Sequence, residues 1–311
     1  MTVSAVRPAP RAEVAPGPLP EPADAPAIER ATPQASSRPA PGWRFWVGVA
    51  VVALAVAVAA LAPWIAPYPP LRQNLDARLV GPSAGHLLGT DELGRDVLSR
   101  LIYGARISLA MALGSMLLAM PLGTALGVVA GYFGGWIDTV ISRTIDVLLA
   151  FPTTLLALVL IASLGASPTS VMVALGLAFL PSFARIARGA VLRERDREYA
   201  IASTAVGQHA GGILWRHIRP NISNDLAVQV SVATPSAMLA EAGLSFLGLG
   251  VSPADPSWGR MLSNAATVIH TAPHLALAPL VPLIGVVLGM FLLADGARSW
   301  LDPHTRRGRL L

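Results

Sequence analysis

The first pattern of catalytic residue types surrounds Ser83, in the pentapeptide Gly81-Pro-Ser83-Ala-Gly85. These letters match the G-x-S-x-G motif, in which a strained strand-to-helix turn exposes a nucleophilic serine. Neither a strand pattern before Ser83 nor a helix pattern after it is present, and Pro82 favours an ordinary turn. Because no base is paired with this serine, the sequence argues against an intramembrane hydrolase.

Two histidines, His270 and His274, have the spacing that places two metal ligands on one helix face. Pro273 lies between them, no clear carboxylate accompanies them, and the chain contains no cysteine. We therefore interpret them as histidines at a membrane interface and predict no metal site.

The sequence contains no nucleotide-binding loop, because the G-x-x-x-x-G-K-[ST] motif requires a lysine and the chain has none. We accordingly expect no cofactor to be bound by this chain. If the protein moves a solute uphill, either an ion gradient or another polypeptide must supply the energy.

One acidic residue, Glu241, lies well inside an apolar run at 226–249. An ionised carboxylate is costly in hydrocarbon, so such residues face a bundle interior or a water path and are often functional. Two alternatives stay open: Glu241 lies on a translocation path, or it forms an interhelical link.

The elements that position these residues are membrane helices, as the composition indicates. Of 311 residues, 53% are hydrophobic and only 13% are charged, and the mean hydropathy is +0.57. Because about 20 apolar residues cross a bilayer, the apolar runs predict an all-α polytopic protein with about six transmembrane helices. The predicted spans are 43–64, 107–129, 140–164, 171–190, 226–249 and 275–294.

Local signals add detail to these spans. Thr90 is predicted to cap an amphipathic interfacial helix before the second span. Arg143 and Asp146, three residues apart at a membrane edge, predict an interfacial ion pair. A stripe of small residues on the second span predicts close helix packing. This stripe consists of Gly123, Gly127 and Gly131.

The arginine distribution sets the topology. Most arginines fall in segments that face inward when the N-terminus is cytoplasmic, so both termini are predicted to be inside. The same bias accounts for the net charge of +5 without a nucleic acid partner. Residues 1–42 are predicted to be a disordered Pro/Ala-rich cytoplasmic tail. Residues 43–303 form the predicted transmembrane domain, and 304–311 a cytoplasmic tail.

A polar, arginine-rich segment at 193–221 separates the fourth and fifth spans on the cytoplasmic side. Its first half, 196–206, is predicted to be helical and to end at Gly207, and a second helical half, 213–218, to stop at Pro220. Small residues in the first half would let another backbone approach closely. They are Ala200, Ala202, Ser203 and Ala205. We interpret this segment as a docking element through which a soluble motor moves a membrane pore.

The residues of this segment resemble a known family. The stretch 198–207, followed by 216–221, is similar to the "EAA" cytoplasmic loop of ABC importer permeases, particularly the dipeptide/oligopeptide/nickel group. Further stretches also match this family in order and spacing. They are 89–96, 103–108, 240–250 and 295–303.

The resemblance implies a type I importer permease fold in the bacterial plasma membrane, with 193–221 as the ATPase-coupling loop. It implies a second permease subunit, usually a different chain, together with one or two ABC ATPase subunits that bind ATP and Mg²⁺, and an extracytoplasmic substrate-binding protein. Lipid surrounds the complex, and short peptides are the expected substrate. Candidate coupling residues are Glu198, Tyr199, Ala202, Ser203, Gly207 and Pro220.

Two positions depart from the family pattern, because Ile201 replaces the motif's glutamate and Arg219 replaces its last leucine. These changes leave open whether coupling is weakened or whether small residues carry the fit by shape. Two functional alternatives also remain: an ion-gradient-driven secondary transporter that uses Glu241, and an ABC importer of nickel or another small solute.

Overall fold

The computed structural model describes residues 42–252 and 254–301, and these residues form an all-α protein without strands. The predicted tails, 1–42 and 304–311, lie outside the described residues apart from Gly42. The helices are α1 (Trp43–Ile65), α2 (Val97–Phe133), α3 (Gly135–Leu149), α4 (Thr153–Leu164), α5 (Pro168–Arg195), α6 (Glu198–Ala205), α7 (Ala210–Ile213), α8 (Arg219–Phe246), α9 (Trp258–Thr267) and α10 (His274–Leu301). A 3₁₀ turn covers Leu75–Ala77 and a π-helical turn covers Leu214–Ile218.

Four helices among the described residues are long and apolar enough to cross a membrane: α1, α2, α5 and α10. The pair α3 and α4 adds a fifth span if it is counted as one. Helix α8 has 28 residues, which is sufficient length for a span, but its residues are less apolar. The predicted all-α polytopic fold is confirmed, and the predicted number of six spans is approximate.

The predicted third span, 140–164, is not one continuous helix. Helices α3 and α4 meet at a bend of 94°. Pro152 occupies the cap position before α4, with extended backbone. Proline lacks an N–H and disfavours helical geometry in the residue before it, so the chain breaks here and does not continue through. Helix α4 alone, at 12 residues, covers about 18 Å.

The predicted interfacial helix and second span are a single helix, α2, of 37 residues. Its N-cap is Asp96 and not Thr90, because the Asp96 carboxylate accepts the Ser99 N–H at 2.8 Å. Thr90 instead holds the preceding loop, where its hydroxyl donates to the Ala77 carbonyl at 2.5 Å. Asp96 is as good a capping residue as Thr90 and lies directly before the helix.

The glycine stripe of α2 packs directly on α5, as predicted. A Cβ at Gly123 would lie 2.5 Å from the Leu180 carbonyl oxygen, and one at Gly131 would lie 3.0 Å from that of Arg188. Gly127 meets α5 between these two points. Small residues at each turn therefore allow the two backbones to touch, as in other membrane helix pairs.

Three hydrophobic clusters hold the described helices together, and α2 and α8 contribute to all three. The first cluster joins them to α1, α9 and α10, the second to α5 and the π-helical turn, and the third to α4 and α5. Helix α8 is thus central to the packing although it is less apolar than the other long helices.

Candidate functional site

The segment between α5 and α8 folds into a short helix followed by a tight turn. Helix α6 ends at Ala205, and Gly207, two residues later, has a φ of +80°. The Gly207 N–H donates to the Thr204 carbonyl at 3.0 Å, and the Gln208 N–H donates to the Ser203 carbonyl at 3.1 Å. This pair of bonds is the Schellman pattern, which places glycine after a helix because only glycine adopts positive φ without strain.

Helix α6 has one face against the protein and one face open. Ala200 is 3% exposed, and Tyr199 and Ser203 are half-buried. The opposite face is exposed and mostly small or apolar, and Ile201 alone is 59% exposed. It consists of Glu198, Ile201, Ala202 and Ala205. Of the four small residues predicted to admit another backbone, Ala202 and Ala205 are thus available, whereas Ala200 is used internally.

The prediction that Pro220 stops the second half of the segment is wrong. Pro220 lies in the first turn of α8. A proline is tolerated there because its missing N–H falls among the first helical donors, which have no partner in any case. The π-helical turn before it, Leu214–Ile218, leads without interruption into α8. A displacement of the π-helical turn therefore acts directly on the start of α8.

Arg219, one of the two departures from the family pattern, stacks on an aromatic ring. Its guanidinium lies 4.1 Å from the ring centroid of Trp215, which is 69% exposed. A cation over an aromatic face is an attractive arrangement. The arginine at this position is therefore held against the exposed ring of Trp215.

Ion pairs join the ends of the helices around α6. Arg188 of α5 binds Asp138 of α3 through two hydrogen bonds, of 2.5 and 2.6 Å. Arg193 of α5 pairs with Asp225 of α8. The predicted partner of Asp146 was Arg143, but its carboxylate instead binds Arg185 of α5 at 2.7 Å. These contacts link residues far apart in sequence, which helical spacing alone does not reveal.

Glu241 lies on the buried face of α8 and is 0% exposed. Ser245 donates a hydrogen bond to its carboxyl group at 2.8 Å, and the hydroxyls of Ser108 and Ser257 flank the same group. Ser108 also accepts the Trp258 N–H, at 3.2 Å. Glu241 therefore sits where α2, α8 and the start of α9 meet. Of the two alternatives for Glu241, this placement favours an interhelical link over a position on the translocation path.

The uncovered face of α8 carries polar groups, which the sequence analysis did not single out. On this face Asn224 is exposed and Ser231 is half-buried. The Ser231 hydroxyl donates to the Ala227 carbonyl, which leaves its lone pairs free to accept. Polar residues seven apart, Asn224 and Ser231, were the available signal for a polar stripe on one helix face.

The family described as "binding-protein-dependent transport system inner membrane component" matches residues 123–307, more than half of the chain. The chain belongs to this family. A second family, described as the N-terminal TM domain of oligopeptide transport permease C, matches residues 43–82. The resemblance inferred from the motifs is confirmed, and the chain is a multi-pass inner-membrane permease component.

Curated relatives cover most of the chain. The dipeptide transport system permease protein DppC of Alkalihalophilus pseudofirmus is 40% identical over 260 residues, covering 84% of this chain and 86% of the relative. DppC of Haemophilus influenzae is 35% identical over 292 residues, covering 89% and 99%. The glutathione transport system permease protein GsiD of Pectobacterium atrosepticum is 40% identical over 256 residues, covering 82% and 85%.

A solved structure shares the fold. It is an inward-facing form of the MetNI methionine ABC transporter, with a TM-score of 0.50 and 18% identity, covering 65% of this chain and 96% of that chain. The predicted importer permease fold is thereby confirmed. Family membership argues against an ion-gradient carrier.

Proposed function

We propose that this permease subunit forms half of the translocation pore of an ATP-driven importer of short peptides and couples to ATPase subunits through residues 193–221. The observation that carries the proposal is helix α6, a capped helix with an exposed face, held at the cytoplasmic ends of α5 and α8 in a chain of this family. The relatives described above are named as permeases of dipeptide or glutathione transport systems, which supports a peptide substrate.

The exposed face of α6 is the proposed docking surface. Ile201 and Ala202 present an apolar, low-relief surface, and Gly207 keeps the following turn free of any side chain. The receiving groove on the ATPase subunit is therefore apolar opposite Ile201. ATP and Mg²⁺ bind to that partner, since this chain has no phosphate-binding loop, and we assign no catalytic residue here.

The uncovered face of α8 is the proposed translocation surface. A second permease subunit, facing this stripe, would enclose a polar path between the two chains. The amide group of Asn224 and the hydroxyl group of Ser231 suit the backbone N–H and C=O groups of a peptide. An extracytoplasmic binding protein delivers the substrate, and the pore alternates between inward- and outward-open states.

Affinity purification of the chain from its native membrane tests the docking assignment. The wild-type chain is expected to bring along a second permease and ATPase subunits with phosphate-binding loops. Gly207→Trp is expected to lose the ATPase, because it adds bulk at the docking turn. A chain that purifies alone, or a Gly207→Trp variant that keeps its full share of ATPase, would contradict the proposal.

Gly165→Trp is the matched control for this experiment. Gly165 also has positive φ, +85°, and open space around it, so the substitution adds the same bulk and a similar backbone strain. It lies between α4 and α5, at the opposite end of α5 from α6. ATPase recovery should match the wild type in this variant.

A further inference from the structure

Helix α6 is attached to the spanning helices by few side-chain contacts. It contributes no residue to the three hydrophobic clusters formed by the described residues. Within the same part of the chain, the side-chain hydrogen bonds that join Glu198–Ala205 to α5 or α8 both involve the hydroxyl of Tyr199. Tyr199 is therefore placed to set how α6 moves relative to these helices.

The Tyr199 hydroxyl uses both its donor and its acceptor capacity. It donates to the carboxylate of Glu194, in the last turn of α5. It accepts the side-chain N–H of Asn221, in the first turn of α8, at 3.2 Å. Asn221 is itself fixed by a second hydrogen bond, from its amide to the His217 carbonyl at 2.7 Å. One phenol thus bridges the end of α5 and the beginning of α8.

Neighbouring groups hold this bridge in place. The ring of Tyr199 lies 5.9 Å from the ring of His217, between centroids. Arg197 pairs with the Glu194 carboxylate at 3.3 Å and so orients the acceptor. Burial, together with the hydrogen bond to Glu194, raises the pKa of Tyr199 above its ordinary value. Because the phenol keeps its proton at cellular pH, it remains a donor to a charged acceptor, which is the stronger kind of hydrogen bond.

The backbone alone is a poor link between α6 and the spans. Only Asp196 and Arg197 separate α5 from α6, and the four residues 206–209 separate α6 from α7. Such short connections permit rotation at their ends, so a small displacement of α6 need not move both neighbouring helices. A side-chain bridge from α6 to both α5 and α8 makes the two helices move together with α6.

We propose that Tyr199 is a positioning residue that transmits the displacement of α6 to α5 and α8 together. This inference rests on the proposed coupling function and assigns its transmission step to one hydroxyl group. The pull on α5 then reaches α3 through the Arg188–Asp138 pair, and the pull on α8 acts on the helix that carries the proposed translocation surface.

Tyr199→Phe tests the relay, because it removes the hydroxyl and keeps the ring. In the purified complex reconstituted in vesicles, the ATPase should remain bound and active. The amount of labelled dialanine transported per ATP hydrolysed should fall about tenfold, which corresponds to the loss of one charge-assisted hydrogen bond. A ratio equal to that of the wild type would overturn the inference.

Controls separate this role from docking and from folding. Tyr132→Phe removes a hydroxyl from a half-buried tyrosine near the cytoplasmic end of α2 and should leave the ratio unchanged. Asn221→Leu should lower the ratio, and adding Tyr199→Phe should lower it little further, because both substitutions break the same bridge. Loss of the ATPase from Tyr199→Phe would assign Tyr199 to docking and also overturn the relay. The Gly207→Trp result tests docking separately, by recovery of the ATPase and not by this ratio.

Discussion

At the scale of single residues, the structure gives the two departures from the family motif a physical role. Ile201 is exposed on the docking face of α6, and Arg219 stacks on the exposed ring of Trp215. Ile201 adds exposed apolar surface to α6, and Arg219 covers one face of an exposed aromatic ring. In the proposed docking, the chain therefore offers an ATPase an apolar contact at the position where the motif has a glutamate.

Ile201→Glu is expected to weaken ATPase binding although it restores the family's residue type. A carboxylate at this position would be buried against an apolar groove without a partner, which should weaken binding about tenfold. Pull-down of the ATPase at graded concentrations measures the change. Thr139→Glu, at an exposed position of α3, adds the same charge away from the docking face and serves as control. Equal or tighter binding by Ile201→Glu would argue against an apolar groove.

Glu241 offers a second prediction at this scale. Glu241→Gln keeps an acceptor for Ser245 and nearly the same volume, so transport should persist. Glu241→Ala leaves Ser245 unpaired and opens a cavity, and should lower the free energy of unfolding by about 2–5 kcal/mol. Thermal unfolding in detergent and vesicle uptake measure the two effects. If Glu241→Gln folded normally but abolished transport, the carboxyl group would have a role in translocation.

Residue types alone drew attention to Glu241, Gly207 and the segment 193–221, but did not reveal the partners of those residues. The bridge from Glu194 through Tyr199 to Asn221 joins residues on three helices. Whether such groups meet depends on the angle at which α6 leaves α5, which no periodicity in the sequence encodes.

At the scale of helices, α2 and α5 form the closest pair, and their contact depends on the absence of side chains. Gly127→Leu should therefore destabilise the protein, since a Cβ there would lie 2.7 Å from that of Ala187. Overpacking of this kind costs about 1–3 kcal/mol. Gly285→Leu on α10 is the control, because nothing lies within 4 Å of its Cβ position. Equal thermal midpoints for the two variants would contradict the close contact.

Helix existence was predictable from apolar run length, whereas helix boundaries depended on single residues. Asp96, and not the predicted Thr90, is the N-cap of α2. The helix therefore begins after Asp96 and continues for 37 residues. Pro152 broke the third span, and Pro220 entered the first turn of α8. A proline can end a helix, kink it or begin the next one, and its neighbours in space decide among these outcomes.

At the scale of the whole molecule, the helices connect the proposed docking element at 193–221 to the polar face of α8. Helix α8 carries the stripe, contributes to every hydrophobic cluster described, and begins directly after the docking segment. In the proposed coupling, a force applied at α6 reaches α8 through the Tyr199 bridge and through the π-helical turn that runs into α8. A permease without its own motor requires such a connection.

ATP-dependent uptake by the purified, reconstituted complex tests this account most directly. Vesicles with the wild-type or Gly165→Trp chain should accumulate labelled dialanine when ATP is supplied, and should continue when the proton gradient is dissipated. Vesicles with Gly207→Trp should lose uptake. Accumulation by the chain alone, driven by an ion gradient without ATP, would contradict the account and make Glu241 the residue to study.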